Sequence, residues 1–214
     1  MYSCVLFDMD GTLVDTYQGI YNAYEYALDK MEMEFGGSEF VDRAIGSPLL
    51  KVFKEHLSLA SKDALKAVEY YRGYYAERGI KEACIYEGMR ETLQALKNNN
   101  ILLGVATLKR ETFAKEILKD LNIEEFFDVI YGIDENDTLS KADLLEKCVK
   151  TLEVSKENTI LVGDSNFDAE GAKKAGIDFM AVLYGYGFKE KNSLQNMGDA
   201  LVAQDVSEII EKLI

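Results

Sequence analysis

Histidine and proline occur once each in this 214-residue chain, and cysteine only three times. The lone histidine, His56 in "KEHLSL", has no cysteine near it in sequence, so the usual partner of a nucleophilic thiol is missing. Cys4, Cys84 and Cys148 are odd in number, far apart and never in a C-x-x-C pair. They read as reduced, mostly buried thiols of a cytoplasmic protein. No apolar run approaches the about 20 residues that span a bilayer. No basic segment leads into an apolar one at the N-terminus, where Asp8 and Asp10 interrupt the only apolar run, so no signal peptide is expected. Positive charge is scarce: 24 Lys and Arg against 38 Asp and Glu give a formal net charge of −14. That balance argues against nucleic acid or an anionic membrane as partner. A small anionic substrate stays open, because a metal ion or a few lysines reverse the sign locally.

What is present is ordinary soluble-protein composition, 48% hydrophobic and 29% charged, in a chain long enough for one core plus a small second domain. Short apolar runs at 4–7, 101–106, 129–131, 159–162 and 180–183 look like buried parallel strands. Helical patterns separate the later ones: "GMRETLQALKNNN", "RETFAKEILKDLNI" and "KADLLEKCVKTLEV" each carry an apolar stripe. Strand alternating with helix predicts an α/β, doubly wound parallel sheet. The interval from Thr16 to about Gly79 breaks the alternation. It shows helical periodicity throughout, holds the only proline, Pro48, and is too long for a simple crossover. It reads as an inserted cap of about four helices over 16–82, with the core formed by 1–15 and 83–214 and hinges near 13–17 and 78–88. Its tyrosines, among them Tyr70, Tyr71, Tyr74 and Tyr75, are expected to pack between helices rather than touch a ligand.

The first strand, in "CVLFDMDGTLVDT", runs into two aspartates one residue apart. Residues i and i+2 of an extended segment share a face, so Asp8 and Asp10 project together beyond the strand's C-terminal end, where open α/β sheets bind ligands. Two like charges so placed call for a positive neighbour. Later strand ends repeat the theme. Thr107 closes one, Lys141 opens a helix after another, and "GDSNFD" adds Asp164 and Asp168 after a third. Each has an ordinary structural reading: Thr107 as a helix N-cap, Lys141 as a solvated first-turn residue, Asp168 as a helix-start charge. Their joint position at strand ends favours a shared site. Several carboxylates in one crevice suit a hard, oxygen-liking cation, Mg²⁺ foremost. A carboxylate beside it can attack phosphorus, and a second can protonate the leaving oxygen and then activate water.

"DMDGTLVDT", Thr107, Lys141 and "GDSNFD" resemble, in order and spacing, the four motifs of the haloacid dehalogenase-like superfamily of phosphotransferases. With four fixed letters at roughly one in twenty each, D-x-D-G-T arises by chance in such a chain about once in a thousand. "IGSPL", "YEGM" and "VLYGYG" look like its phosphoglycolate-phosphatase-type subgroup. The resemblance implies a Rossmann-like core with a helical cap that excludes water and selects substrate. It implies Asp8 as nucleophile and Mg²⁺ ligand, and Asp10 as general acid/base lending its main-chain carbonyl to the metal. Thr107 and Lys141 would hold the phosphoryl group, Asp164 would bind the metal, and Asp168 would bind it through water or orient its shell. The chain departs from the family pattern in having Leu108 after Thr107, no proline after Lys141, and Glu87 in place of a proline. The implied function is a Mg²⁺-dependent phosphatase acting on a small phosphorylated metabolite. The alternatives are a phosphomutase of the same fold, a pyrophosphatase or 5′-nucleotidase, and a binding protein without catalysis. Asp10 argues against a dehalogenase, and the long helical insertion argues against a signalling receiver domain. In the cap, Arg43, Lys51, Lys54, His56, Arg72 and Arg78 are the candidates for substrate recognition.

Overall fold

The computed structural model describes residues 2–134, 138–190 and 200–214. The chain divides into two compact units, Met1–Asp15 with Cys84–Ile214, and Thr16–Ala83.

In the first unit, β1 (Cys4–Phe7) is apolar and buried at every position, as a strand covered on both faces must be. It pairs in parallel with β4 (Leu102–Arg110) on one side and β6 (Thr159–Gly163) on the other. Together with β5 (Val129–Ile133), β7 (Asp178–Val182) and β8 (Leu201–Ala203) it forms a six-stranded parallel sheet in the order β5-β4-β1-β6-β7-β8. Strand order therefore reverses at β1, and a crevice opens there between the C-terminal ends of β4 and β6. One face of β1, carrying Cys4 and Leu6, packs against Leu144, Leu145 and Cys148 of α7 (Lys141–Leu152) and Ala172 and Ala175 of α8 (Asn166–Ala175). Burial pushes the thiols of Cys4 and Cys148 up to about 12, and Cys84 is the exposed one of the three.

Three features differ from the sequence reading. β4 continues past Thr107 to Arg110, with a register irregularity between those two residues. β8 and the terminal helix Ser207–Leu213 have no counterpart in that reading, and a three-residue strand is too short to show a period. Two short pieces add to these: β2 (Val14–Asp15) and β3 (Cys84–Ile85) pair antiparallel where the chain leaves and re-enters this unit.

The second unit is helical: α1 (Tyr17–Lys30), α2 (Gly37–Ala44), a single-turn α3 (Leu49–Lys51) running into a π-helix Val52–His56, and α4 (Ser61–Glu77). Tyr71 and Tyr74 pack against the first helix as expected, whereas Tyr70 lies under Lys66 of its own helix. Tyr24 lies 4.7 Å from Tyr71, Tyr26 lies 5.1 Å from Tyr74, and Tyr71 stacks on Tyr75. Among the described residues no helix is long and apolar enough to cross a membrane.

Candidate active site

Asp8 follows β1 directly, and its backbone N–H donates to the Val162 carbonyl of β6, which fixes it at the strand's end. The chain then turns at Gly11, whose φ of +82° lies in the left-handed region where a side chain is strained. Asp164 comes at the end of β6. Its Oδ2 accepts the backbone N–H groups of Tyr186 at 2.6 Å and Gly187 at 3.0 Å.

Two helix starts bring in the remaining charges. Ser140 and Asp143 form a capping box at the start of α7, and Ser165 and Asp168 form another at the start of α8. Each is an S-x-x-D signature that fixes the first turn by satisfying backbone N–H groups that have no helical partner. The first box makes Lys141 the opening residue of α7. The second makes Asp168 both a capping residue and a member of the site.

Asp8, Asp164 and Asp168 gather here, each offering a carboxylate oxygen within 4.8 Å of the others. Lys141 reaches into the group. Its Nζ donates to Asp8 Oδ1 at 2.6 Å, to Asp168 Oδ1 at 2.7 Å and to the Ala106 carbonyl at 2.7 Å. At 5% exposure it is no solvated surface lysine. One ammonium among three buried carboxylates leaves the group net negative. Burial pushes Asp8 up to about 8, reinforced by Asp168 and Asp164 and opposed by Lys141. Burial likewise pushes Asp164 up to about 6, with Asp168 adding to it. Burial works against the charge on Lys141, but Asp168 and Asp8 outweigh it and hold the lysine above its ordinary value.

Such a group is short of positive charge, and its donors are all carboxylate oxygens. The set fits a hard divalent cation, with Asp8, Asp164 and Asp168 as the residues able to hold it.

The other two sequence candidates stand beside this group. Thr107 is buried at the edge of the crevice, in β4, and its Oγ1 accepts the N–H of Lys109 at 3.1 Å. It does not cap a helix, since β4 continues past it. The carboxylate of Asp10 is not one of the three. Its Oδ2 is ion-paired at 3.1 Å with Lys109 Nζ. Sequence reasoning missed Lys109 and the backbone donors of Tyr186 and Gly187. "VLYGYG" was legible as a signature, but its contact with Asp164 spans 22 residues of chain and needs the fold.

A parallel sheet that carries acids and a buried lysine at its switch point defines an α/β protein of the doubly wound class with a charged strand-end site. A model of the haloacid dehalogenase-like hydrolase family matches residues 5–182; the chain belongs to that family and is an enzyme, a hydrolase. It is similar to a 5′-nucleotidase of Pseudomonas aeruginosa, 30% identical over 191 residues that span 89% of this chain and 86% of the relative. It is also similar to the tyrosine-protein kinase PtkA of Mycobacterium tuberculosis, 30% identical over 210 residues that span 96% of this chain and 72% of that one. The crystal structure of a predicted phosphatase from Clostridium acetobutylicum matches with a TM-score of 0.93 and 31% identity, covering 100% of this chain and 98% of that one.

Proposed function

We propose that this enzyme is a Mg²⁺-dependent phosphatase that hydrolyses a small phosphorylated metabolite through an aspartyl-phosphate on Asp8. The observation that carries the reading is Lys141, buried and bonded at once to Asp8 and Asp168 beside Asp164. Burying such charges costs much of what their attraction returns, and strongly perturbed titratable groups cluster at functional sites.

In the first step a carboxylate oxygen of Asp8 attacks phosphorus, a P–O bond to Asp8 forms, and the bond to the leaving oxygen breaks. Asp10 gives that oxygen a proton. In the second step water attacks the same phosphorus while Asp10, now a carboxylate, takes a proton from it. The bond to Asp8 breaks and phosphate leaves. Thr107 and Lys141 hold the phosphoryl oxygens. Asp8 and Asp164, with the Asp10 carbonyl, would hold the cation, with Asp168 acting through water or orienting the shell, and the cation would supply charge neutralisation for the anionic phosphoryl group. Asp168 has one carboxylate oxygen on Ser165 and the other on Lys141, which suits a role in orienting the others.

The helical unit, 16–83, is proposed as the cap that selects substrate. Within it Phe40, Arg43 and His56 line a cavity of about 280 Å³. Relatives are named for phosphoglycolate, pyrophosphate and nucleotide substrates, so those compounds and sugar phosphates make up the panel to be scored by kcat/KM.

The test is phosphate release from p-nitrophenyl phosphate. Wild type is expected to turn over with Mg²⁺ and stop on chelation, and Asp8→Asn to be inactive with an unchanged circular-dichroism spectrum. Near-wild-type turnover by Asp8→Asn would overturn the reading, and sugar-phosphate isomerisation without phosphate release would make the enzyme a mutase instead.

A further inference from the structure

The geometry points to Lys109 as a positioning residue that holds the Asp10 carboxylate in place for proton transfer, an inference that rests on the acid/base role read for Asp10. Lys109 Nζ lies 3.1 Å from Asp10 Oδ2, and its side chain is 7% exposed against 18% for the aspartate. An ion pair so withdrawn from water is much less screened than a surface one.

The backbone is shaped to aim this lysine. β4 and β5 keep an even parallel register from Gly104↔Val129 to Thr107↔Gly132, and the next pair is Arg110↔Ile133. Three residues are used on β4 against one on β5, so Leu108 and Lys109 bulge out of the ladder. Bulges re-aim side chains beside active sites. Two contacts hold this one. The Lys109 N–H donates to Thr107 Oγ1 at 3.1 Å. On the other side the bulge lies against Gly132, where an added Cβ would sit 2.5 Å from the Lys109 carbonyl oxygen and 2.6 Å from the Glu111 nitrogen. Gly132 is the residue that admits the bulge. Thr107 thereby has a structural task besides phosphate binding: it ties the bulge to the strand.

The reason for such a device lies in the neighbouring charges. Asp10 sits two residues from Asp8, next to a group with three carboxylates and one ammonium. A second, separate ammonium keeps the carboxylate of Asp10 out of that group and fixes the direction in which it presents a proton. Lys141 and Lys109 thus divide the acids between them, one serving the group around Asp8, the other Asp10.

Leaving-group dependence tests this, because only a poor leaving group needs the proton. The measured quantity is kcat/KM over a series of substituted phenyl phosphates of rising phenol basicity. Wild type is expected to show a shallow dependence. Asp10→Asn should be steep, and Lys109→Gln should share that slope, losing at least about tenfold more on phenyl phosphate than on p-nitrophenyl phosphate. Lys109→Arg, which keeps a cation within reach, should recover part of the shallow slope. In the Asp10→Asn background, Lys109→Gln should add almost nothing, since residues acting as a unit are non-additive. A loss by Lys109→Gln that is equal across the series, or that adds in full to that of Asp10→Asn, would overturn the inference and make Lys109 a phosphate-binding or purely structural residue. A shallow slope in Asp10→Asn itself would instead overturn the acid role of Asp10, so the two failures are told apart.

Discussion

Lys141 shows how far burial changes the meaning of a residue. As the first residue of a helix it would be expected in solvent, where an ion pair is worth little. Here it is buried, bonded to two carboxylates and a backbone carbonyl, and it offsets only part of the charge around it. Lys141→Ala removes the ammonium bonded to two of the three buried acids, Asp8 and Asp168. Breaking such a pair costs about 3–5 kcal/mol, so a fall in thermal stability of that order is expected in the cation-free protein. On the proposed mechanism turnover should fall through a higher KM and a lower kcat together, because the ammonium would serve both the bound phosphate and the charge balance. Denaturant melts and initial rates of the variant check both.

Single elements decide where these side chains stand. Two helices begin with the same device, Ser140 with Asp143 and Ser165 with Asp168, and both deliver a charge to the crevice from their first turn. In Ser140→Ala the cap of α7 loses its hydroxyl acceptor, which costs about 1 kcal/mol. The variant should therefore unfold at lower denaturant while activity at saturating substrate changes by less than in Lys141→Ala. A loss of activity as large as that of Lys141→Ala would mean that the cap, rather than the packing of α7 on the sheet, sets the lysine's place. The bulge in β4 is the other such element. In sequence it is invisible, because "TLKR" carries no glycine or proline to mark it, and the residue that permits it, Gly132, lies on the neighbouring strand.

For the whole molecule the consequence is a linkage between acidity, cation and stability. Asp8 and Asp164 are ordinary carboxylates in the unfolded chain, near 3.8, and are raised to about 8 and about 6 in the folded one. The folded state therefore binds more protons than the unfolded state as pH rises from about 4 to about 8. Stability from these groups is full below that window and is lost on passing up through it. A divalent cation held by these acids, as proposed, would supply the missing positive charge and bind the ionised carboxylates in competition with protons. In differential scanning calorimetry the cation-free protein should show a Tm that declines from pH 5 to pH 8. Added Mg²⁺ should raise Tm more at pH 8 than at pH 5. A Mg²⁺ effect of equal size at both values would mean that the cation does not sit among these acids.

The sequence by itself determined the sheet-and-helix alternation, the place of the helical insertion and the acids of the crevice. Those are local properties: a run of apolar residues, a helical period, a pair of aspartates at i and i+2. Only the tertiary structure decided what each charge faces. It brought Lys141 to Asp8 across 133 residues of chain, gave Asp164 its backbone donors from Tyr186 and Gly187, and turned Asp10 to Lys109 rather than to the group around Asp8. The physical reason is that a carboxylate's environment is set by burial and by neighbours a few ångströms away, and strand order, not sequence spacing, chooses those neighbours.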